Sequence, residues 1–174
     1  KSALASHELR PADVEKSVSP PPFQTFLDRH RDAVYRFLVF SVGPDDADDC
    51  LQETFTAALR AYPRLEDGSN LRAWVLTIAH RKAIDAHRGR SRRPVPAADL
   101  PEKPAPAVTL PDPGLWEAVG KLAPKQRAAV VLRFVSDLPF RQVGRILDIS
   151  EAAARQNVHE GIAHLRKEYA DDEL

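Results

Sequence analysis

The chain has 174 residues, enough for one domain or two small ones, and its 43% hydrophobic content is sufficient for packed cores. No apolar run approaches the ~18 residues of a membrane span, and a single cysteine, Cys50, excludes an internal disulfide and favours a reducing cytoplasm. Net charge is zero, which does not exclude a nucleic-acid partner because the position of the charges matters more than their sum.

Strand signals are nearly absent, so the sequence predicts an all-α fold. Residues 1–22 are polar and end in SPPP, which predicts a flexible N-terminal segment. Apolar residues at helical spacing then predict a first amphipathic helix that ends at Gly43-Pro44. Its apolar side comprises Phe23, Phe26, Leu27, His30, Val34, Phe37, Leu38 and Ser41.

The second predicted helix begins at Pro44 and carries acids in its first turn, where they complement the positive end of the helix dipole. Its apolar stripe comprises Ala47, Cys50, Leu51, Thr54, Phe55, Ala58, Leu59 and Tyr62. Because Cys50 lies in that stripe, we interpret it as a small buried hydrophobe rather than a redox sensor. The residues off the stripe are Asp45, Asp46, Asp48, Asp49, Gln52, Glu53 and Thr56.

A basic helix follows a turn-rich loop, and Ser69 or Asn70 can cap it. Residues 69–93 contain seven basic side chains and one acidic one, whereas residues 23–68 contain five basic and nine acidic ones. Spacing places Leu71, Trp74, Val75, Ile78 and Ala79 on one side and His80, Arg81, Ile84, His87 and Arg88 on the other, outward side. Lys82 and Asp85, three residues apart, are expected to form a local ion pair.

A solvated surface is the alternative interpretation of such a basic face. Trp74 beneath the face and a second DNA-type motif downstream favour nucleic acid. That motif follows residues 92–113, where seven prolines predict an extended linker between two helical domains, 23–91 and 114–174.

In the second domain, short helices open near Gly114, Pro124 and Pro139, and Ser150 caps a longer last helix. Two short helices, a tight turn and a longer helix indicate a helix-turn-helix, with an ordinary helical hairpin as the alternative. The first turns of the last helix would enter the major groove, and Arg and Gln can pair with base edges. The outward side chains there are Glu151, Ala152, Arg155, Gln156 and His159.

The sequence lacks the motifs that are typical of metal binding, phosphate binding and nucleophilic catalysis. No metal-ligand spacing, glycine-rich phosphate loop or nucleophile elbow is present. We therefore expect no metal site, no cofactor and no enzymatic activity.

The order of motifs resembles the extracytoplasmic-function (group IV) sigma factors of bacterial RNA polymerase. These motifs are DDADDCLQETFTAALRAY, NLRAWVLTIAHRKAIDAHR, a proline-rich linker, LAPKQRAAVVLRFVSDLPFRQVGRIL and DISEAAARQNVHEGIAHLRK, and the resemblance as a whole covers residues 23–169. The resemblance implies a sigma region 2 domain at 23–91 and a sigma region 4 domain at 114–174. It also implies three partners: core RNA polymerase, promoter DNA and an anti-sigma factor.

The resemblance further implies a role for each element. The acidic helix would dock on the clamp helices of the largest polymerase subunit through Asp45, Asp46, Asp48, Asp49, Gln52, Glu53 and Thr56, and other family contacts involve the β flap. The −10 element would be bound and melted by Asp67, Ser69, Asn70, Arg72, Trp74, His80, Arg81, His87 and Arg88. The −35 element would be read by Arg141, Glu151, Ala152, Arg155, Gln156 and His159, and the linker would follow the RNA exit path.

The recognition helix departs from the family pattern. Residues 150–169 contain three basic and three acidic side chains, and Glu160 stands where Arg is frequent. Asp148 and Gly144 replace the usual Gly and Ala. Two alternatives therefore remain beside the sigma factor: a stand-alone helix-turn-helix regulator, and an inactive relative held by a protein partner.

Overall fold

The computed structural model describes residues 20–90 and 113–171, and every regular element in these two ranges is helical. The all-α prediction is therefore confirmed for this part of the chain. Residues 1–19 of the expected N-terminal segment and nearly all of the predicted linker lie outside the described residues. None of the helices in these ranges is both long and apolar enough to cross a membrane.

Three helices form the N-terminal domain: α1 (Phe23–Val42), α2 (Pro44–Ala61) and α3 (Leu71–Arg90), with a 3₁₀ turn at Tyr62–Arg64. Each of the three packs on the other two. Gly43 takes φ +92° between α1 and α2, a conformation that favours glycine. The cap of α3 is Asn70, whose Oδ1 accepts a hydrogen bond from Ala73 N–H at 3.0 Å.

Four helices form the C-terminal domain: α4 (Pro113–Lys121), α5 (Pro124–Val130), which continues as a π-helical turn (Val131–Val135), α6 (Phe140–Leu147) and α7 (Glu151–Asp171). The α6–α7 turn is tight. Asp148 is left-handed at φ 54°, and Ile149 N–H donates to Gly144 O at 2.9 Å. Ser150 Oγ accepts from Ala153 N–H at 3.0 Å, which confirms the predicted cap. The short helix α6, the tight turn and the longer helix α7 follow the order predicted for a helix-turn-helix.

The two domains pack against each other and share one continuous hydrophobic core. Helix α1 contacts α4 and the π-helical turn, and α3 contacts α6. Because of these contacts residues 37–42 at the C-terminal end of α1 are all buried, and the buried set includes Tyr35, Phe40 and Val42, which the predicted one-sided stripe left out. The prediction for α1 was therefore too narrow.

One residue of the predicted α2 stripe is not buried. The centre of the stripe, Ala47, Thr54 and Ala58, is completely inaccessible, whereas Leu59 is 53% exposed. Leu59 lies at the edge of the stripe near the end of α2, where neither α1 nor α3 covers it. Its assignment to the core was wrong.

Candidate polymerase and promoter interfaces

The outer face of α2 presents the side chains predicted to bind polymerase. Asp45, Asp49, Gln52, Glu53 and Thr56 are exposed, and the other two predicted residues, Asp46 and Asp48, are partly exposed. The opposite face of the same helix supplies the core, so α2 cannot rotate without exposing it. The acids are held as a fixed anionic surface, with Asp45 and Asp46 in the first turn of the helix.

An ion pair joins this face to the basic helix. Lys82 Nζ lies 3.5 Å from Glu53 Oε2, across the α2–α3 contact. The expected Lys82–Asp85 pair is therefore not the one that forms, because Lys82 lies on the side of α3 that faces α2. Lys82 is partly exposed and Glu53 is exposed, so the pair orients the two helices but contributes little stability.

The outward face of α3 is narrower than predicted. Arg81, His87 and Arg88 are exposed, and the ring Nε2 of His87 lies 2.9 Å from Ser41 O on α1. His80 is partly buried, with its ring centroid 6.4 Å from that of Phe37.

Its outward placement was wrong, because α3 packs between two helices. Leu76 and Ala83 extend its buried arc toward the side that His80 occupies. Burial, and secondarily the charge of Arg81, lowers the pKa of His80. A neutral, partly buried imidazole is poorly suited to a phosphate contact.

Trp74 and Arg72 lie at the start of α3, beside an aromatic cluster. The Trp74 ring is 5.6 Å from that of Phe26 and 6.1 Å from that of Tyr62. Both Trp74 and Arg72 are partly exposed. The exposed parts of Trp74 and Arg72 leave room for a base or phosphate contact, while packing in the aromatic cluster fixes the orientation of the indole.

Buried next to them, His30 is kept neutral. Burial first, and then the charges of Arg29 and Arg72, lower its pKa to about 4.

The loop before α3 contains the remaining residues predicted for the −10 element. Asp67 and Asn70 are exposed and Ser69 is partly exposed. Ser69 Oγ donates to Glu66 O at 2.6 Å, and the Asn70 side-chain oxygen caps α3. The Asn70 amide N–H₂ therefore remains as its outward donor group.

The predicted −35 residues share one exposed surface. Arg141 on α6 and the five α7 residues, Glu151, Ala152, Arg155, Gln156 and His159, are all exposed. The opposite side of α7 is buried through Ala154, Val158, Gly161 and Leu165. The spacing thus placed the faces of this helix correctly.

Intramolecular contacts hold the two proposed base readers. Arg155 Nη2 lies 3.0 Å from Glu151 Oε1, and its guanidinium lies 4.4 Å above the Phe140 ring. Gln156 Nε2 donates to Glu160 Oε1 at 2.7 Å. Both polar contacts have i, i+4 spacing on one helix, a signal that was readable in the sequence.

Glu160 was missed as a functional candidate. Its second oxygen accepts a hydrogen bond from Gln126 of α5 at 2.9 Å. The hydrogen bonds from Gln156 and Gln126 hold the pKa of Glu160 below its usual value, so the side chain stays anionic on the predicted DNA face.

Comparison with known proteins covers both domains. The Sigma-70 region 2 family matches residues 26–93, and the Sigma-70 region 4 family matches residues 114–165. The RNA polymerase sigma factor CarQ of Myxococcus xanthus is 32% identical over 162 residues, spanning 87% of this chain and 91% of the relative. The ECF RNA polymerase sigma factor SigX of Bacillus subtilis is 27% identical over 173 residues, spanning 87% of this chain and 89% of that protein.

A solved structure shares the fold. It is a co-crystal structure of the sigma factor RpoE of Bartonella quintana with the anti-sigma factor NepR, with a TM-score of 0.70 and 23% identity over 83% of this chain and 94% of that one. Because the matches include both domains, they do not favour a stand-alone regulator that uses the helix-turn-helix alone. From the paired region 2 and region 4 matches and the full-length relatives, the chain belongs to the sigma-70 family of RNA polymerase sigma factors, within its extracytoplasmic-function group.

Proposed function

We propose that this sigma factor, a non-catalytic initiation subunit acting inside the cell, uses three separate surfaces. The acidic face of α2 binds the clamp helices of core polymerase, and other polymerase contacts involve the β flap. The loop at 65–70 and the exposed part of α3 bind and melt the −10 element. The N-terminal turns of α7 read the −35 element.

The observation that carries this proposal is the separation of charge on exposed faces of adjacent helices. The outer face of α2 is anionic, and the C-terminal half of α3 exposes Arg81 and Arg88. An anionic face repels DNA and suits a basic protein surface, whereas exposed arginines attract single-strand phosphate. A protein that only binds DNA would not need both the anionic face of α2 and the exposed arginines of α3.

The −10 assignment is tested by replacing Arg81 and Arg88 with Ala. Both side chains are exposed, so their loss removes phosphate contacts without removing packing. We expect slower open-complex formation on a strong promoter and unchanged affinity for core polymerase, measured by permanganate footprinting and by binding titration. The matched control replaces Arg31 and Arg36, exposed on α1, with Ala. Loss of polymerase affinity with normal strand opening would contradict the assignment.

The −35 assignment is tested by Arg155→Ala and Gln156→Ala. A well-made paired contact with a base discriminates by about 1–3 kcal/mol, whereas a phosphate contact weakens all sequences alike. Transcription from promoters with single −35 substitutions should therefore show a relaxed preference and unchanged use of the −10 element. Lys167→Ala, on the same helix and exposed, is the control. A uniform loss across all promoters would mean that Arg155 and Gln156 only anchor the backbone.

An anti-sigma partner is part of the proposal, supported by the relative that was crystallised with one. We expect the inhibitor to cover the α2 face and the start of α7. Hydroxyl-radical footprinting of the inhibited complex should then protect Gln52 and Gln156. A complex that leaves the α2 face accessible to core polymerase would refute this mode of inhibition.

A further inference from the structure

We infer that Glu160 fixes the amide of Gln156 with its oxygen toward DNA, so that the −35 base read by Gln156 is one with an exocyclic amino group, adenine or cytosine. The inference deepens the −35 assignment proposed above and rests on it. Three features support it: the hydrogen bonds around Glu160, the chemistry of a carboxylate and the polar groups of the major groove.

Glu160 accepts hydrogen bonds from amides on two helices. Gln156 Nε2 donates to its Oε1 at 2.7 Å, and Gln126 Nε2 donates to its Oε2 at 2.9 Å. Gln126 belongs to α5, which packs closely on α7: a Cβ added to Gly161 would lie 3.6 Å from Gln126 Cβ. The carboxylate is therefore anchored to a second helix and is held more firmly than a free surface side chain.

The carboxylate determines which end of the Gln156 amide faces it. An ionised carboxylate only accepts hydrogen bonds, whereas a glutamine amide has a donor end, Nε2, and an acceptor end, Oε1. The hydrogen bonds from Gln156 and Gln126 hold the pKa of Glu160 below its usual value, so the group is ionised at neutral pH. Turning the amide over would place Oε1 against the carboxylate, acceptor against acceptor, and would lose the bond.

The favoured orientation leaves Oε1 of Gln156 as the acceptor that DNA meets. Gln156 is exposed, and no residue of the two described ranges donates to its Oε1. Oxygen and nitrogen lie on opposite sides of the amide carbon, so an amide that turns Nε2 toward Glu160 turns Oε1 away from it. The bond also restrains a long side chain before DNA arrives, which reduces the conformational entropy lost on binding.

The major groove contains groups that this oxygen can bind and groups that it cannot. Adenine and cytosine present amino donors there, at N6 and N4, whereas guanine presents the acceptors O6 and N7 and thymine the acceptor O4. A glutamine whose amide turns freely can also donate Nε2 to an acceptor edge. The tethered Gln156 loses that choice, because guanine or thymine would set a carbonyl oxygen against Oε1. Adenine and cytosine are therefore favoured on the contacted strand.

The test measures base preference in holoenzyme assembled from the full chain and core polymerase. Promoters with each of the four bases at every −35 position compete in transcription, and the ratio of amino bases (adenine and cytosine) to keto bases (guanine and thymine) is determined at each position. Gln156→Ala identifies the position that Gln156 reads. There we expect the wild type to favour amino bases by about two- to tenfold, the effect of one net hydrogen bond.

Glu160→Gln keeps the shape of the side chain and removes its fixed polarity, because an amide can both accept and donate. We expect it to lower the amino-to-keto ratio to about twofold or less at that position alone. Gln126→Ala, on α5 and outside the proposed −35 surface, should lower the ratio by a smaller factor because the carboxylate loses one anchor. Glu168→Gln makes the same charge change about two turns away on α7 and should leave the ratio unchanged.

A base analogue isolates the amino contact. Purine lacks the 6-amino group of adenine and retains N7, so it removes only the proposed donor. Replacing adenine by purine at the mapped position should reduce wild-type transcription by about two- to tenfold. Holoenzyme containing Gln156→Ala should use the two promoters equally.

Three results would overturn the inference alone: a wild-type preference for guanine or thymine at the mapped position, purine used as well as adenine, or an unchanged ratio in Glu160→Gln. If Gln156→Ala leaves every −35 preference unchanged, the proposed −35 assignment of Gln156 is itself wrong, and the inference is refuted with it. Each ratio compares promoters bound by one protein, so a general gain in affinity from removing an anion does not affect it.

Discussion

Gly144→Ala should destabilise this protein, although a Gly→Ala change at an exposed position inside a helix usually stabilises the helix by about 1 kcal/mol. A Cβ at Gly144 would lie 2.8 Å from Ile149 O and 3.3 Å from Glu151 N, which are backbone atoms. They cannot move alone, because Ile149 N–H is bonded to Gly144 O and Asp148 holds the turn in a left-handed conformation. The added methyl must therefore push α6 and α7 apart by a few tenths of an ångström.

Overpacking of this kind typically reduces the free energy of unfolding by about 1–3 kcal/mol, which exceeds the gain in helix propensity. We expect a net loss of about 1–2 kcal/mol, or a fall in Tm of about 2–8 °C for a chain of this size. Thermal unfolding followed by circular dichroism measures it. The control is Gly120→Ala in α4, where an added Cβ meets nothing within 4 Å. If both variants raise Tm equally, the close approach of the two helices is refuted.

Three further predictions concern other sites. His30 is neutral when folded, so the free energy of unfolding should fall by about 3 kcal/mol as pH drops from 6.5 toward 4, and His30→Gln should flatten that dependence in denaturant titrations. Gly161→Ala should lower Tm because its Cβ would lie 2.7 Å from Val130 Cγ2, and Val130→Ala should recover part of the loss in a double-mutant cycle. Glu160→Gln should tighten binding of a −35 duplex and steepen its salt dependence, because it removes an anion beside Gln156; unchanged affinity in a salt titration would contradict this.

Helix boundaries were predictable because they depend on local chemistry. Pro44 begins α2, Asn70 caps α3 and Ser150 caps α7, each through a preference of its own residue type. Asp148 adopts the left-handed turn expected of a short polar side chain. The exposed face of α7 followed from spacing alone, since only one side of that helix is covered.

Burial determined by more than one neighbour was not predictable. Helical spacing gives one apolar side, but α1 is covered by its own domain and by the other, so Tyr35 and Phe40 were left out of the core. His80 was placed outward because a histidine in a basic run gives no sign of the Phe37 ring beside it. Lys82 forms its ion pair with Glu53, which lies 29 residues earlier in the chain, and no local sequence pattern predicts that pairing.

The two tryptophans of the chain lie at two separate places in the fold. Trp74 packs in the aromatic cluster beside the loop proposed to bind the −10 element, and Trp116 is hydrogen-bonded to Val39 O between the domains. The emission wavelength of an indole depends on its exposure to water and on its hydrogen bonds. A chain carrying Trp116→Phe would therefore report changes beside the proposed −10 loop through Trp74 alone. A chain carrying Trp74→Phe would report changes at the contact between the domains through Trp116 alone, so the protein's intrinsic fluorescence can follow each place without an attached dye.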